Sequence, residues 1–433
     1  MTIHRIRSKT AILVAVFGAT AGAAALADAA RAESFTYVTD GGGIRAVDLG
    51  RPGKSQGDLY VLNGDVRDAA TGGQVGHVFG EQISVALGRR VETVQGSLTF
   101  ELPDGSIVAG GLSRYPLDAN DLVLGTRFVR PILGGTGRYA GRRGTLTTMR
   151  RPEGGYEQRF DLSDPATTGQ RTLEVYSPGG VDHIDVGDPG LSPGDMSVLA
   201  GTLTDAGGRA IGRLRGVQSQ ITTADGQHVA VGQITYVLAD GAIVVGGTSR
   251  RPLEAGGLVP QAAFERAVLG GTGAYAGVSG TATTVRDGDR YRTTFALRPG
   301  TGSSTVRRVT VRARGVARPV DVGEGGRTPG DLWIYSVPVR GDGRGFIRGA
   351  LVSVRIEDGA ETLAGSVTVE LRGRGQIVFG GITALPLSDA ARFRRSFDRA
   401  VLGGTGDFAG AHGTVRTVRR GHGYRMTFSL GAP

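Results

Sequence analysis

Gly134-Gly135-Thr136-Gly137-Arg138-Tyr139-Ala140-Gly141, closing at Gly144, decides the fold because the chain carries it three times. It returns as Gly270-Gly271-Thr272-Gly273-Ala274-Tyr275-Ala276-Gly277, closing at Gly280. The third copy is Gly403-Gly404-Thr405-Gly406-Asp407-Phe408-Ala409-Gly410, closing at Gly413. The first glycines lie 136 and then 133 residues apart. A motif this long at such a period means three copies of one folded unit.

Working outward, the repeat covers the whole unit. Each copy opens with a strand leading to Asp48-Leu49-Gly50, Asp185-Val186-Gly187 or Asp321-Val322-Gly323. A Gly-Asp pair follows at Asp58, Asp195 and Asp331, each starting a further strand. Next comes G-x-x-x-G inside a long alternating strand, at Gly76 to Gly80, Gly212 to Gly216 and Gly345 to Gly349. Glycine there marks a bulge, a bend or a close backbone approach. Asp104-Gly105 and Asp240-Gly241 sit between alternating runs as hairpin turns, with Arg374-Gly375 in the third copy. The pattern predicts about eight strands per unit and no helix, and eight antiparallel strands with one apolar face close into a barrel. The expected fold is all-β, with three tandem eight-stranded antiparallel barrels at 33–166, 170–300 and 304–433. Short Gly/Pro/Ser/Thr-rich junctions favour packing of the barrels on one another, as a covalent counterpart of a trimer.

Composition agrees with this class. Glycine is 75 of 433 residues without a G-X-Y period, which excludes collagen. The absence of cysteine excludes disulfides, thiolate catalysis and Cys-based zinc sites. The net charge is +10, and Lys9 and Lys54 are the only lysines. Acidic and basic residues are mixed along the chain, so the arginine excess reads as a composition bias and no nucleic-acid partner is expected. His4, Arg5, Arg7 and Lys9 precede an uncharged small-apolar run from Thr10 to Ala27, and Ala30-Arg31-Ala32 supplies a cleavage pattern, with Ala25-Leu26-Ala27 as a second option. Residues 1–32 are therefore expected to be a signal peptide. The mature protein would be secreted, extracellular or periplasmic, with no stable membrane span.

These features resemble the dirigent and allene oxide cyclase family of β-barrels. The resemblance rests on two hydrophobic residues followed by G-G-T-G-x-aromatic-x-x-x-x-G, found three times, together with the preceding G-x-x-x-G and the early Gly-Asp. It implies an eight-stranded barrel with a hydrophobic cavity, trimeric assembly in related plant proteins, and reactive, largely apolar ligands. The cyclase closes a fatty-acid epoxide into a cyclopentenone, and dirigent proteins steer phenoxy-radical coupling. Dirigent proteins tend to carry Arg just after the first glycine of G-x-x-x-G. Here that position holds His77, Arg213 and Phe346, so only the second unit agrees. No catalytic constellation of the cyclase carries over residue by residue.

Candidate residues come in sets. Asp58, Asp195 and Asp331, if turned inward, are carboxylates in an apolar cavity suited to general-acid work; turned outward, they accept bonds from loop amides. Arg114 and Arg250 follow the Gly-Gly strands, with Asp118 and Glu254 after them, while the third unit has Ala384 and Ser388. The joint loss reads either as a local ion pair given up or as an anion-binding group kept in two units. Phe100 and Tyr236 are expected to line the barrels, as core or as ligand contacts. Gly134, Gly135, Gly137, Gly270, Gly271, Gly273, Gly403, Gly404 and Gly406 read as tight turns with positive φ, with Tyr139, Tyr275 or Phe408 plugging a barrel end. They are not a dinucleotide loop, because Ala140 stands where the third glycine would be and no helix follows. His77, His183, His228, His412 and His422 have no zinc spacing, and Asp182, Asp185 and Asp188, a possible calcium set, have no complete counterpart elsewhere.

No metal or cofactor is expected. The expected function is binding of small apolar molecules in the barrel cavities, with any cyclisation or coupling steered by shape and a few polar groups. The alternative is a non-catalytic structural or interaction protein of the bacterial cell envelope, built from solid barrels.

Overall fold

The computed structural model describes residues 33–40, 42–118, 122–164, 169–224, 227–252, 262–300, 306–322, 325–387, 396–421 and 423–431. The signal-peptide segment, Glu254, Ser388 and His422 lie outside them.

The first unit contains β1 (Glu33–Thr39), β2 (Gly43–Val47), β3 (Leu59–Asp68), β4 (Gln74–Leu87), β5 (Val91–Leu102), β6 (Gly105–Pro116), β7 (Arg127–Gly135), β8 (Arg143–Arg150) and β9 (Tyr156–Ser163). Neighbours from β3 to β9 pair antiparallel in chain order, and β1 closes the ring by pairing with both β9 and β3. Eight strands thus form a closed barrel, and the other two units repeat the arrangement. The ninth strand, β2, shares an edge of β3 with β1: β1 takes Val66 to Asp68 and β2 takes Leu59 to Asn63. This edge strand was not separable by sequence from the turn-rich entry around it. Among the described residues no helix is long and apolar enough to cross a membrane.

The hairpins form where turn chemistry put them. Leu102 faces Gly105 and Leu238 faces Gly241 across two-residue loops, and Leu371 faces Gly375 across three. Inside the first barrel, Leu98, Phe100, Ile107, Ile132, Leu146 and Phe160 form one core cluster. At the repeat motif, Gly137, Gly273 and Gly406 hold φ of +56°, +59° and +60°, whereas Gly134, Gly135, Gly270, Gly271, Gly403 and Gly404, expected in the same turn, lie in the preceding strands without positive φ. A Cβ on Gly137 would lie 2.1 Å from the Asp104 carbonyl oxygen, so only glycine fits. The turn folds Tyr139, Tyr275 and Phe408 inward, each buried.

The barrels touch through faces that alternation alone would leave wet. Opposite Val108 and Ala109, the β7 register slips by one residue, making Leu133 a bulge residue. The same slip recurs at Leu269 and Leu402. The bulged leucines turn out of their own barrels and meet in a cluster with Val108, Val244 and Val378, drawn from all three units. A second set of bulges, at Val85, Ile221 and Val354, delivers those side chains to another shared cluster. The first glycine of each motif allows the close approach. A Cβ on Gly134 would lie 3.2 Å from Ala267 Cβ, one on Gly270 3.3 Å from Ala400 Cβ, and one on Gly403 3.0 Å from Leu133 Cδ2. The contacts run cyclically from first to second to third and back to first.

Polar seams follow the same cycle. Arg250 pairs with Glu101 of the first barrel at 2.6 Å, and Arg114 pairs with Glu370 of the third. The remaining seam holds Ala384 and, at the position of Glu101, Val237. Arg114 and Arg250 therefore pair across seams between barrels, with Glu370 and Glu101 rather than with the acids four residues on, and the uncharged seam has lost its arginine in the third unit and its glutamate in the second. Glu81, between the first and second barrels, accepts from Ser219 Oγ at 2.5 Å, and burial pushes its pKa up to about 7. Between the ordinary carboxylate value and about 7, the folded state holds a proton that the unfolded state releases. Stability should therefore fall as pH rises through that window, by at most about 3 kcal/mol. Thermal melts from pH 4.5 to 7 test this: Glu81→Gln should flatten the slope, and an unchanged slope would reject the assignment.

Candidate functional site

The first barrel is open where β2 leaves β1. Beyond Thr39 the chain stops pairing with β9, and β2 is held only through β3. The gap leads to a cavity of about 330 Å³, walled by Ile44, Ala46, Val47, Leu62 and Val94 and by the polar groups of Asp58, Tyr60, Glu92 and Lys54. A smaller pocket of about 70 Å³, lined by Phe128, Arg130, Thr148 and Gln158, shares Ile44, Leu62, Gln82 and Tyr115 with it.

One wall carries a linked polar cluster. Tyr60 Oη donates to Glu92 Oε1 at 2.9 Å, and Lys54 Nζ lies 3.1 Å from Glu92 Oε2. Glu92 is 2% exposed. Alternation on β3 and β5, which flank β4, turns Tyr60 and Glu92 to the same inner face, and the loop before Asp58 brings Lys54 to Glu92. Burial first, and then the Glu92 carboxylate, pushes the Tyr60 pKa far up, so Tyr60 remains a donor. The cluster offers a ligand oxygen both an acceptor and a donor in a largely apolar space.

The other barrels vary the same positions. In the third, Trp333 Nε1 donates to Glu361 Oε1 at 2.9 Å, and Arg327 lies 3.7 Å from Glu361. Trp333 and Tyr335 replace Tyr60 and Leu62, and the space beside Arg399 is about 50 Å³. In the second, Ser197, His228 and Leu191 stand where Tyr60, Glu92 and Lys54 do. Ser197 Oγ and His183 Nδ1 lie 3.1 Å apart, and burial together with Arg251 lowers the pKa of both His183 and His228. Two histidines that sequence reasoning left unrelated thus share one barrel mouth.

The three aspartates tie loops. Asp58 accepts from Ser55 N at 2.6 Å and Ser55 Oγ at 2.9 Å, while also bordering the cavity. Burial raises its pKa against the pull of these bonds. Asp195 accepts from the amides of Val186 and Ser192, and Asp331 from those of Val322 and Thr328. Arg114 and Arg250 lie in the seams, away from the cavity walls. Phe100 packs edge-on against Phe160 and Tyr236 against Phe295, both inside barrel cores. Of the acidic set near His183, Asp188 pairs with Arg45 of the first barrel at 2.6 Å, and Asp185 accepts from the Gly190 amide at 2.9 Å.

Sequence reasoning passed over Glu92 and Arg130. A signal existed for both. Glutamate recurs at Glu361, and Arg130 recurs as Arg266 and Arg399, each four residues before the first motif glycine. A charge kept at an inward-facing strand position in repeated copies has few structural uses.

No family profile matches this chain, and no curated protein matches it. Among solved structures, parts of the chain are similar to a pyocyanin demethylase at 24% identity, covering 30% of this chain and 100% of that one, with a TM-score of 0.26. The Diels Alderase AbmU from Streptomyces koyangensis matches at 18% identity over 31% of this chain and 64% of its own, TM-score 0.26. AbnU, an exo-specific intermolecular Diels-Alderase, matches at 19% identity over 31% of this chain and 99% of its own, TM-score 0.25. At these scores the similarities carry no argument about the site.

Proposed function

We propose that the protein binds small, largely apolar molecules, that the first barrel is the binding site, and that the pocket can steer a bound molecule toward cyclisation or coupling. The observation that carries this reading is the cavity of about 330 Å³ with apolar walls and one convergent polar cluster, Tyr60, Glu92 and Lys54. Ligand sites of this kind hold an apolar body by burial and fix its orientation with a few placed polar groups. Any rate effect would come from holding a reactive conformer in a confined space. In this reading the three barrels act as one covalent assembly, and the N-terminal segment directs the protein out of the cytoplasm.

The test is native mass spectrometry of the mature protein, purified gently from its producing cells, with a melting-temperature screen against apolar compounds. A defined apolar compound at near one-to-one stoichiometry is the expected result. Repeated empty spectra with no shift in melting temperature would reject the reading in favour of a structural protein of the cell envelope.

A further inference from the structure

We propose that the ligand of the first barrel is an organic acid with an apolar body, and that Arg130, in the small pocket that shares four lining residues with the cavity, holds its carboxylate. This rests on the reading of that barrel as the ligand site.

The motif strand of each barrel carries Phe-x-Arg: Phe128 and Arg130, Phe264 and Arg266, Phe397 and Arg399. The three arginines are 3%, 4% and 5% exposed. A buried cation normally has an anion beside it, because burial strips its hydration. Among the described residues none of the three forms an ion pair. Arg130 donates to Ser113 Oγ at 2.5 Å and Thr148 Oγ1 at 3.1 Å, both neutral. Arg399 donates to Thr383 Oγ1 at 2.7 Å, and Arg266 Nε is buried with no partner. Each guanidinium also lies over the phenylalanine two residues before it, at 5.5, 4.6 and 5.3 Å from the ring centre. Burial lowers the pKa of all three, to about 10 for Arg266 and Arg399. They remain cations at neutral pH.

Among the described residues that line the two pockets, none neutralises Arg130. Tyr115 and Tyr156, which face it, are phenols. Glu92 is paired with Lys54, and Asp58 is bonded to Ser55. The small pocket is therefore a positive spot with no counter-charge among the described residues, suited to the two oxygens of a carboxylate. A phosphate dianion fits less well, because it would meet one cation and a few hydroxyls in a pocket of about 70 Å³. In the first barrel that pocket shares Ile44, Leu62, Gln82 and Tyr115 with the larger cavity, on whose side an apolar tail would find room. In the third barrel Tyr335 and Leu385 line the space beside Arg399 at the positions of Leu62 and Tyr115.

The experiment compares acids with their neutral amides on the mature full chain. Octanoate is set against octanamide, and cinnamate against cinnamamide, by titration calorimetry at neutral pH. The acids should bind at least tenfold more tightly than the amides. Arg130→Met should reduce that preference to near one, while raising the melting temperature of the empty protein. Arg130→Lys should retain part of the preference. Equal binding of acid and amide would overturn the proposal yet leave the apolar-ligand reading standing. No binding of either class would overturn both. If Arg130→Met melts lower and keeps the preference, Arg130 is a packing residue and the carboxylate sits elsewhere. Should Arg130→Met fail to fold, the acid-to-amide ratios of the wild type and Arg130→Lys still decide the matter.

Discussion

Leu402→Ala is expected to cost about 2–5 kcal/mol of folding stability, as a fully buried leucine does when truncated. Leu402 is 0% exposed, although it lies outside the interior of its own barrel. The bulge between Val401 and Gly403 turns it out of its own barrel, where it meets Leu133, Leu269 and the three valines Val108, Val244 and Val378. Denaturant unfolding of the purified variant measures the loss. If the barrels were independent beads, Leu402 would sit on a wet surface, and the substitution would change stability by less than about 0.5 kcal/mol. Such a small value would reject the shared core. Leu133→Ala and Leu269→Ala should behave alike, and the three should not add, because they share one cluster.

Tyr60→Trp combined with Leu62→Tyr is expected to weaken binding in the first barrel by roughly a hundredfold, about 3 kcal/mol. The third barrel already carries this pair as Trp333 and Tyr335, so the fold accommodates both side chains at these positions. The Trp333 contact to Glu361 shows how the new indole would satisfy Glu92. The added rings would occupy the space between Ile44, Leu62 and Val94 that the ligand needs. Calorimetry with the compound recovered from the native protein gives the comparison, alongside a melting curve to show that the variant folds. Unchanged affinity in a folded variant would place the ligand outside this cavity.

Much of the architecture was legible because it follows from local rules applied three times over. Alternation on β5, the hairpin turns and the positive-φ glycine at Gly137 each act within a few residues, so the chain announces them. The repeat multiplied that signal: one ambiguous run becomes a barrel when it recurs at the same place in three copies. The candidate site was far less legible. Phe100, Tyr236 and the three aspartates attract attention by residue type, yet the two aromatics pack in barrel cores and the aspartates bind their own loops. Glu92 and Arg130 carry no motif, and their importance comes from what lies across the barrel from them.

The sequence by itself determined three all-β units, their turns and their inward-facing residues, because those depend on the residue types of near neighbours. Tertiary structure alone decided which outward faces stay dry, since the bulges at Leu133, Leu269 and Leu402 reverse the alternation that sequence reading relies on. It also decided that Arg114 and Arg250 face other barrels, and that the first barrel keeps a cavity of about 330 Å³ beside β2 above its filled core. Charges paired across hundreds of residues and volumes left unfilled are sums over the whole packed molecule, and no local stretch encodes them.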